Sequence, residues 1–288
     1  MRTAMTWILV LSAFVLPTMP VAAAVYSGQT GFHLDWWDSE NGTDGYQYHI
    51  PIEAGGEIQH LSFRLITAYV YNEFTPVNEA GESFSGLADT KVNLAYERVA
   101  GWPVDVLFAL DFNLPTGQTG LSDSQVIAIS NPDQVTITRM GEGFNANPNI
   151  SLLKQWDALY AAVGIGYLWR GSYDASDTLL DYDPGNALNI TAAVDYLINP
   201  RWTGSLFGSF TQFDKDTLAE VAYYEPGDVN IFGVRAAYTR KTWDLSGSIK
   251  TVLRNKERRQ NGFGVLQPES SSYYGDEWRA QLKGHVQL

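Results

Sequence analysis

The segment that decides the fold is WRAQLKGHVQL, residues 278–288. Apolar or small side chains occupy alternate positions from Trp278 to Leu288, and polar side chains occupy the positions between them. This period-two alternation predicts a β-strand with one apolar face and one polar face. Strands of soluble proteins most often have about five or six residues. The longer segment therefore favours a strand that crosses a membrane.

The same alternation recurs along the chain and predicts about twelve strands. They are expected at residues 30–37, 45–53, 58–72, 88–98, 103–114, 149–156, 158–170, 186–198, 202–213, 229–240, 243–254 and 276–288. An even number of strands is typical of closed barrels in bacterial outer membranes. The pattern therefore predicts an all-β fold, a transmembrane antiparallel up-and-down β-barrel of about twelve strands.

The connections between these segments alternate in length. The short ones are expected at 54–57, 99–102, around 157, at 199–201 and at 241–242, and the long ones at 38–44, 73–87, 115–149, 171–185, 214–228 and 255–275. Short periplasmic turns on one rim and long extracellular loops on the other are typical of outer-membrane barrels. The long connection at 115–149 is expected to fold inward and to narrow the lumen.

Aromatic residues collect at both ends of the predicted strands. Those near the short connections are Trp102, Trp156, Tyr196, Trp202, Tyr238 and Trp243, and those near the long ones are Trp36, Tyr69, Tyr71, Tyr167, Trp169 and Trp278. Amphipathic rings prefer the headgroup zone of a bilayer, so two girdles are expected.

The first 24 residues have the features of a secretory signal peptide. Arg2 supplies a positive charge, residues 7–16 are apolar, and Ala22–Ala24 offers a small-residue cleavage site. We therefore expect residues 1–24 to be a signal peptide and residues 25–288 to form a single outer-membrane β-barrel domain. The expected location is the outer membrane of a bacterium, reached by export.

Composition excludes several function classes. The formal net charge of −13 argues against a nucleic-acid partner. The absence of cysteine excludes disulfides, thiol nucleophiles and cysteine-based metal sites. The four histidines, at positions 33, 49, 60 and 285, lack metal-ligand spacing. We therefore predict no catalytic residues, no cofactor and no metal. The expected partners are outer-membrane lipids and small-molecule solutes, and the oligomeric state stays open.

Charged residues on the face opposite the apolar stripe are the candidate lumen-lining residues. They are Arg64, Lys91, Asp111, Arg170, Arg235, Lys250, Arg279 and Lys283. Two interpretations are open. A basic lumen would favour anions, as rings of charge do in pores. Alternatively, the charges pair across strands and brace the barrel, which is the interpretation that we favour.

Two short motifs stand close together in the chain: SGLADT at residues 85–90 and LDFNLPTG at residues 110–117. They resemble a family of outer-membrane transporters named for the meta-pathway of phenol degradation, in which a G-x-G-D strand entry precedes an L-P-T-G strand end. Ala88 replaces the second glycine of the entry. The matching residues are Gly86, Asp89, Pro115, Thr116 and Gly117. The resemblance implies passage of small, often apolar molecules across the outer membrane, and it brings no catalytic residues.

Three functions are compatible with these observations. The leading hypothesis is a channel or diffusive transporter for small solutes, including apolar or aromatic ones, and not an enzyme. The first alternative is a structural or adhesive barrel that works through its acidic extracellular loops. A less favoured alternative is an outer-membrane lipid hydrolase, because His60 and Ser62 have the spacing of a serine–histidine pair on one strand face.

Overall fold

The structure is a computed structural model, which describes residues 25–76, 81–98, 103–122, 125, 141–176, 178–261, 263, 265–269 and 274–288. The predicted signal peptide, the short connection at 99–102 and Trp102 lie outside the described residues. Within the described part of the chain, no helix is long and apolar enough to cross a membrane.

The described residues form eighteen strands, numbered in chain order. They are β1 (Val25–Ser39), β2 (Asp44–Ile58), β3 (Leu61–Thr75), β4 (Glu82–Leu87), β5 (Thr90–Arg98), β6 (Asp105–Leu114), β7 (Asn145–Trp156), β8 (Leu159–Arg170), β9 (Tyr182–Asp183), β10 (Ala187–Asn199), β11 (Trp202–Phe213), β12 (Asp216–Leu218), β13 (Val221–Glu225), β14 (Val229–Thr239), β15 (Trp243–Arg254), β16 (Arg258–Gln260), β17 (Leu266–Pro268) and β18 (Glu277–Gln287).

Thirteen of these strands form one antiparallel sheet that closes on itself. Neighbouring wall strands follow each other along the chain, and β1 pairs with β18 to close the cylinder. Both β4 and β5 pair with β3, so they occupy one position in the wall, which therefore has twelve strands. The predicted fold class, an up-and-down barrel of about twelve strands, is confirmed.

Side chains alternate between the two faces of the wall, as the sequence pattern predicts. On β14 and β15, for example, Val234 and Ile249 are cross-strand partners and are exposed on the outer surface. The next partners, Arg235 and Ser248, are turned to the interior. The outer surface thus carries the apolar stripe that a bilayer requires, and the interior carries the polar one.

Two of the predicted connections, at 54–57 and 73–87, are wrong in position, and the one at 38–44 is in the predicted place but shorter than expected. The Gly-rich stretch at 54–57 lies inside β2, and the turn follows at Gln59–His60. Gly56 looks like a turn residue in sequence, but an ideal Cβ there would lie 2.8 Å from the Phe63 ring, so the wall needs a glycine at this position. The connection at 38–44 is a short turn, and most of 73–87 belongs to β3 and β4.

The connections on the long-loop rim, where β1 ends and β18 begins, are partly ordered into a second sheet of five strands. We name this sheet, made of β17, β16, β13, β12 and β9, the rim sheet. Its strands come from the last three long connections, for which the sequence pattern predicts no strands. The Tyr224 hydroxyl donates to buried Glu257, 3.0 Å away, and burial, followed by the Glu257 charge, raises the pKa of Tyr224. The opposite end of the barrel, which holds the short turns, is the short-turn rim.

Adjacent positions on β10 test the assignment of faces. Ala192 is exposed on the outer surface, whereas its neighbour Thr191 faces the interior beside Gly164. Replacing Ala192 by Arg places a charge in the bilayer and is expected to destabilise the barrel by about 2–4 kcal/mol. Thr191→Arg, the matched control, is expected to change stability by about 0.5 kcal/mol or less. Urea unfolding in lipid vesicles measures both, and equal losses would contradict the assignment.

Candidate functional site: the barrel interior

All the candidate lumen-lining residues lie on the inward face of their strands. Arg64 stands near the short-turn rim between its partners Gly55 and Asn93. Lys250 and Arg279 are direct cross-strand partners on β15 and β18. Buried Asp35 lies close enough to Arg279, Lys283 and Lys250 to interact with all three charges.

Five of the eight candidates take part in ion pairs among the described residues. The pairs are Lys91 with Asp111 (3.7 Å), Arg170 with Glu142 (4.0 Å), Arg235 with Asp195 (3.6 Å) and Arg279 with Glu277. Asp111 also accepts hydrogen bonds from the amides of Asn93 (2.8 Å) and Asn149 (3.0 Å). Pairing of this kind neutralises charge, and the contacts of Asp111 also tie β6 to its neighbours β5 and β7, as the bracing interpretation predicts.

The interior differs in hydration between its two ends. Near the short-turn rim, the Arg235 and Asp195 side chains are 47% and 36% exposed, so water reaches this level of the lumen. Near the long-loop rim, Arg279 is fully buried and Glu277 almost so. Arg254 also binds Glu277, at 3.2 Å, which completes a buried cluster of charges under the last long connection.

Three of the four histidines form a row across the seam of the barrel. His49 Nε2 lies 2.6 Å from His33 Nδ1, and His33 Nε2 lies 2.6 Å from His285 Nε2. His285 Nδ1 lies 3.1 Å from the Asp244 carboxylate, and the Gln47 amide nitrogen lies 3.4 Å from His49 Nδ1. We name these five side chains the histidine row. They come from four neighbouring strands, β2, β1, β18 and β15.

The groups that end the histidine row determine which ring nitrogens carry a proton. An ionised carboxylate only accepts, so His285 donates through Nδ1 to Asp244. His285 Nε2 must then accept from His33, and His33 Nδ1 must accept from His49. One proton on each ring satisfies every contact. Because His33 uses its two nitrogens for two different partners, the row does not surround an ion, and no metal-binding group of three side chains occurs within the described ranges.

The motif residues of the sequence analysis meet at the break between β4 and β5. Buried Asp89 accepts hydrogen bonds from the backbone N–H groups of Gly117 (2.7 Å), Gly141 (3.2 Å) and Glu142 (3.1 Å). It also accepts from the side-chain amide of Asn113, at 2.9 Å. Asp89 therefore fastens both ends of the long connection at 115–144 to the wall.

The neighbouring motif residues support this fastening. Pro115 follows the last residue of β6, and the Thr116 hydroxyl bonds Thr90 at both the backbone N–H and the hydroxyl, each at 2.8 Å. An ideal Cβ at Gly117 would lie 2.8 Å from the Asp89 backbone nitrogen, so only glycine permits this approach. At Gly86, an ideal Cβ would lie 2.4 Å from the Gln118 side chain.

An apolar cluster fills part of the interior near the long-loop rim. Its wall residues are Trp37, Ala68, Val70, Phe74, Phe84 and Ala88, and its remaining buried member is Leu121 from the long connection. Tyr274, from the last long connection, packs against it. We name this group the interior apolar cluster. The described part of the connection at 115–144 thus reaches into the lumen, as the sequence analysis expected.

A separate cavity of about 760 Å³ lies at the long-loop ends of β8, β10 and β11. Its lining mixes aromatic and charged groups, including Trp169, Phe213, Lys215 and Asp214. The volume is within the range of small-molecule sites, about 300–1,000 Å³. Its position makes it a candidate vestibule between the loops and the barrel.

Sequence reasoning missed the histidine row and the interior apolar cluster. His33, His49 and His285 all fall on the inward positions of their strands, but His33 and His285 are 252 residues apart. The alternation could have marked Val70 and Phe74 as inward apolar residues, because Tyr69 and Tyr71 are outward. By contrast, His60 lies in the turn at the short-turn rim beside Tyr96, and no hydrogen bond joins it to Ser62 among the described contacts.

The sequence matches no established protein-family profile, and no curated protein matches it in sequence. Among solved structures, it is similar to the COG4313 outer membrane channel from Pseudomonas putida F1, with a TM-score of 0.65 and 11% identity over 94% of this chain and 97% of that chain. The NanC porin gives a TM-score of 0.49 at 11% identity over 91% of this chain and 100% of that chain.

A further similarity is to the deltaS2 mutant of the TodX monoaromatic hydrocarbon channel, with a TM-score of 0.44 and 10% identity over 92% of this chain and 90% of that chain. At such low identities the similarities show the fold alone. That fold is an outer-membrane β-barrel of the kind found in channels. The resemblance to the phenol meta-pathway transporters stays a prediction.

Removing the Asp89 carboxylate should release the long connection. Asp89→Ala leaves three backbone N–H groups without their acceptor, and we expect a loss of about 1–3 kcal/mol of stability and faster proteolytic cleavage between residues 115 and 144. Asp89→Asn, which retains one acceptor oxygen, should fall between the variant and the wild type. Limited proteolysis of the folded barrel measures the effect, and unchanged cleavage in Asp89→Ala would contradict this role.

The histidine row should contribute to stability through its central residue. His33→Leu leaves His49 Nε2 and His285 Nε2 unpartnered in a buried region, with an expected loss of about 1–3 kcal/mol. His60→Leu is the matched control, since His60 lies outside the row, and it should change stability by about 0.5 kcal/mol or less. Urea unfolding followed by tryptophan fluorescence compares them. A neutral effect of His33→Leu would show that the row is not a brace.

Proposed function

We propose that this protein is an outer-membrane channel through which small solutes diffuse, with apolar and aromatic molecules as the favoured candidates. The observation that carries the proposal is the composition of the barrel interior. It combines a water-exposed ion pair, Arg235 with Asp195, and a buried apolar cluster around Trp37. Such an interior offers both a wet path and an apolar surface to a passing molecule.

We further propose that the chain reaches the bacterial outer membrane after removal of residues 1–24, and that its partners are outer-membrane lipids and small-molecule solutes. The apolar outer surface supports the lipid assignment. Membership of the phenol meta-pathway transporters is part of the same proposal, and the contacts of Asp89 with Gly117 support it by giving two of the motif residues a joint role.

The charge pairs bear on the selectivity of such a channel. Four of the seven basic lumen-lining candidates, Lys91, Arg170, Arg235 and Arg279, each have a carboxylate partner among the described residues, so most of their positive charge is neutralised. We therefore propose weak ion selectivity for the wild-type lumen, with the lumen-lining residues acting first as braces. A water-exposed pair is the place where selectivity can be altered without unfolding the wall.

An adhesive barrel is the second candidate, and the rim sheet is the observation that favours it. Five short strands hold the loops of the long-loop rim in a defined surface, which a partner could contact. The lipid-hydrolase alternative has weaker support, because His60 and Ser62 share no hydrogen bond among the described contacts, and catalysis by such a pair requires one.

Single-channel recording tests the proposal. The folded protein, beginning at Val25, is expected to give discrete conductance steps in a planar bilayer, with a reversal potential near zero in a salt gradient. Asp195→Asn removes an accessible carboxylate beside Arg235, so the reversal potential should shift toward that of an anion-selective pore. Asp38→Asn, at an exposed outward position of β1, is the control. Silence from protein shown to be folded would overturn the channel and favour the adhesive barrel.

A further inference from the structure

The interior apolar cluster contains one polar atom without a partner, the indole Nε1 of Trp37. Trp37 is only 4% exposed, and its Nε1 makes no hydrogen bond to any described residue. A buried donor without an acceptor costs free energy, and buried tryptophan N–H groups usually find a partner. An unsatisfied donor of this kind indicates that an acceptor belongs at the site.

The Trp37 ring is held in place by its surroundings. It lies against Gly45 of β2, where an ideal Cβ would be 2.2 Å from the ring atom Cζ2, so a side chain at position 45 would displace the ring. The Arg279 guanidinium lies over the ring, 5.7 Å from its centroid. The donor is therefore fixed in one orientation before any ligand arrives, which lowers the cost of binding.

A residue of the long connection packs in the same apolar cluster as Trp37. Leu121 is 3% exposed and packs in the cluster with Phe74 and Phe84, although it belongs to no wall strand. Its backbone is fastened only four residues earlier, where Gly117 bonds Asp89. A leucine side chain fills apolar space but offers no acceptor to the Trp37 N–H.

We propose that the interior apolar cluster is a solute-binding site in which Leu121 is the resident occupant. The ligand is a small, neutral aromatic molecule that carries one hydrogen-bond acceptor, such as a carbonyl oxygen. Its ring replaces the Leu121 side chain among Phe74, Phe84 and Val70, and its acceptor takes the Trp37 N–H. The proposal rests on the proposed channel function for the route by which the solute arrives.

The unpartnered donor at the site is itself uncharged. The Arg279 guanidinium lies over the Trp37 ring and is already paired with Glu277. Arg254, which lies over the Tyr274 ring at 5.8 Å from its centroid, binds the same carboxylate. The unpartnered donor of the cluster is therefore a single neutral N–H, and a carbonyl oxygen needs only that one donor.

Two ligands of nearly the same shape test the acceptor. Acetophenone carries a carbonyl oxygen where α-methylstyrene carries a methylene group. Ligand-observed NMR on the folded barrel in detergent micelles measures the affinity of each. The wild type is expected to prefer acetophenone by about two- to tenfold, the usual value of one hydrogen bond. Trp37→Phe retains a ring but loses the N–H, so this preference should disappear while α-methylstyrene still binds.

Matched variants separate the site from the membrane-facing surface. Trp36→Phe is the control for Trp37→Phe, because Trp36 is the preceding residue and is 46% exposed on the outer surface, and it should keep the wild-type preference. Leu121→Ala removes the resident occupant and should bind both ligands more tightly. The difference in mobility between unheated and heated protein on a denaturing gel verifies that each variant is folded.

The results of the binding experiment distinguish failure of the binding site from failure of the channel function. Equal affinities of the wild type for the two ligands, or an unchanged preference in Trp37→Phe, would overturn the binding site even if the protein conducts. Loss of the preference in Trp37→Phe alone, with a silent planar bilayer, would support the site and overturn diffusion through an open lumen. Weaker binding by Leu121→Ala would show that Leu121 is part of the site rather than its occupant.

Discussion

The pairing of β1 with β18 is the constraint on which the rest of this structure depends. Residues 29–39 pair with residues 277–287 without interruption, so the wall has no free edge. In a bilayer, each unpaired backbone group would cost several kcal/mol, so closure is required. Because side chains alternate in a strand, the same register turns His33, Trp37 and Arg279 to the interior, and a slip of one residue would turn them to lipid.

Closure also divides the interior into regions of different chemistry. On the side of the seam, the histidine row and the cluster around Glu277 satisfy polar groups through hydrogen bonds and ion pairs. On the side of β3 and β4, the wall presents apolar residues, and Leu121 from a loop packs on them. Asp89 connects the wall to the long connection, because it stands at the break between β4 and β5 and fastens the connection there. A bracing framework and an apolar site can therefore share one lumen.

Prediction from sequence succeeded where the signal was local and repeated. The alternation located all twelve wall positions, because each strand must present one face to lipid over its whole length. It failed at 54–57, where two glycines resembled a turn but serve close packing against Phe63. It also missed the rim sheet, since its strands of two to five residues are too short to show a period.

The sequence alone determined the barrel and the face on which the wall residues lie, because alternation is a property of neighbouring residues. It determined the connections only in part, since those at 54–57 and 73–87 were misplaced. The tertiary structure alone decided which inward residues meet. A cylinder brings together His33 and His285 from opposite ends of the chain. It also places Asp89 against Gly141 and leaves the Trp37 N–H without an acceptor. These contacts depend on strand register and on the fold of the long connection. The period-two alternation predicts the face on which a side chain lies, but not which side chains it contacts.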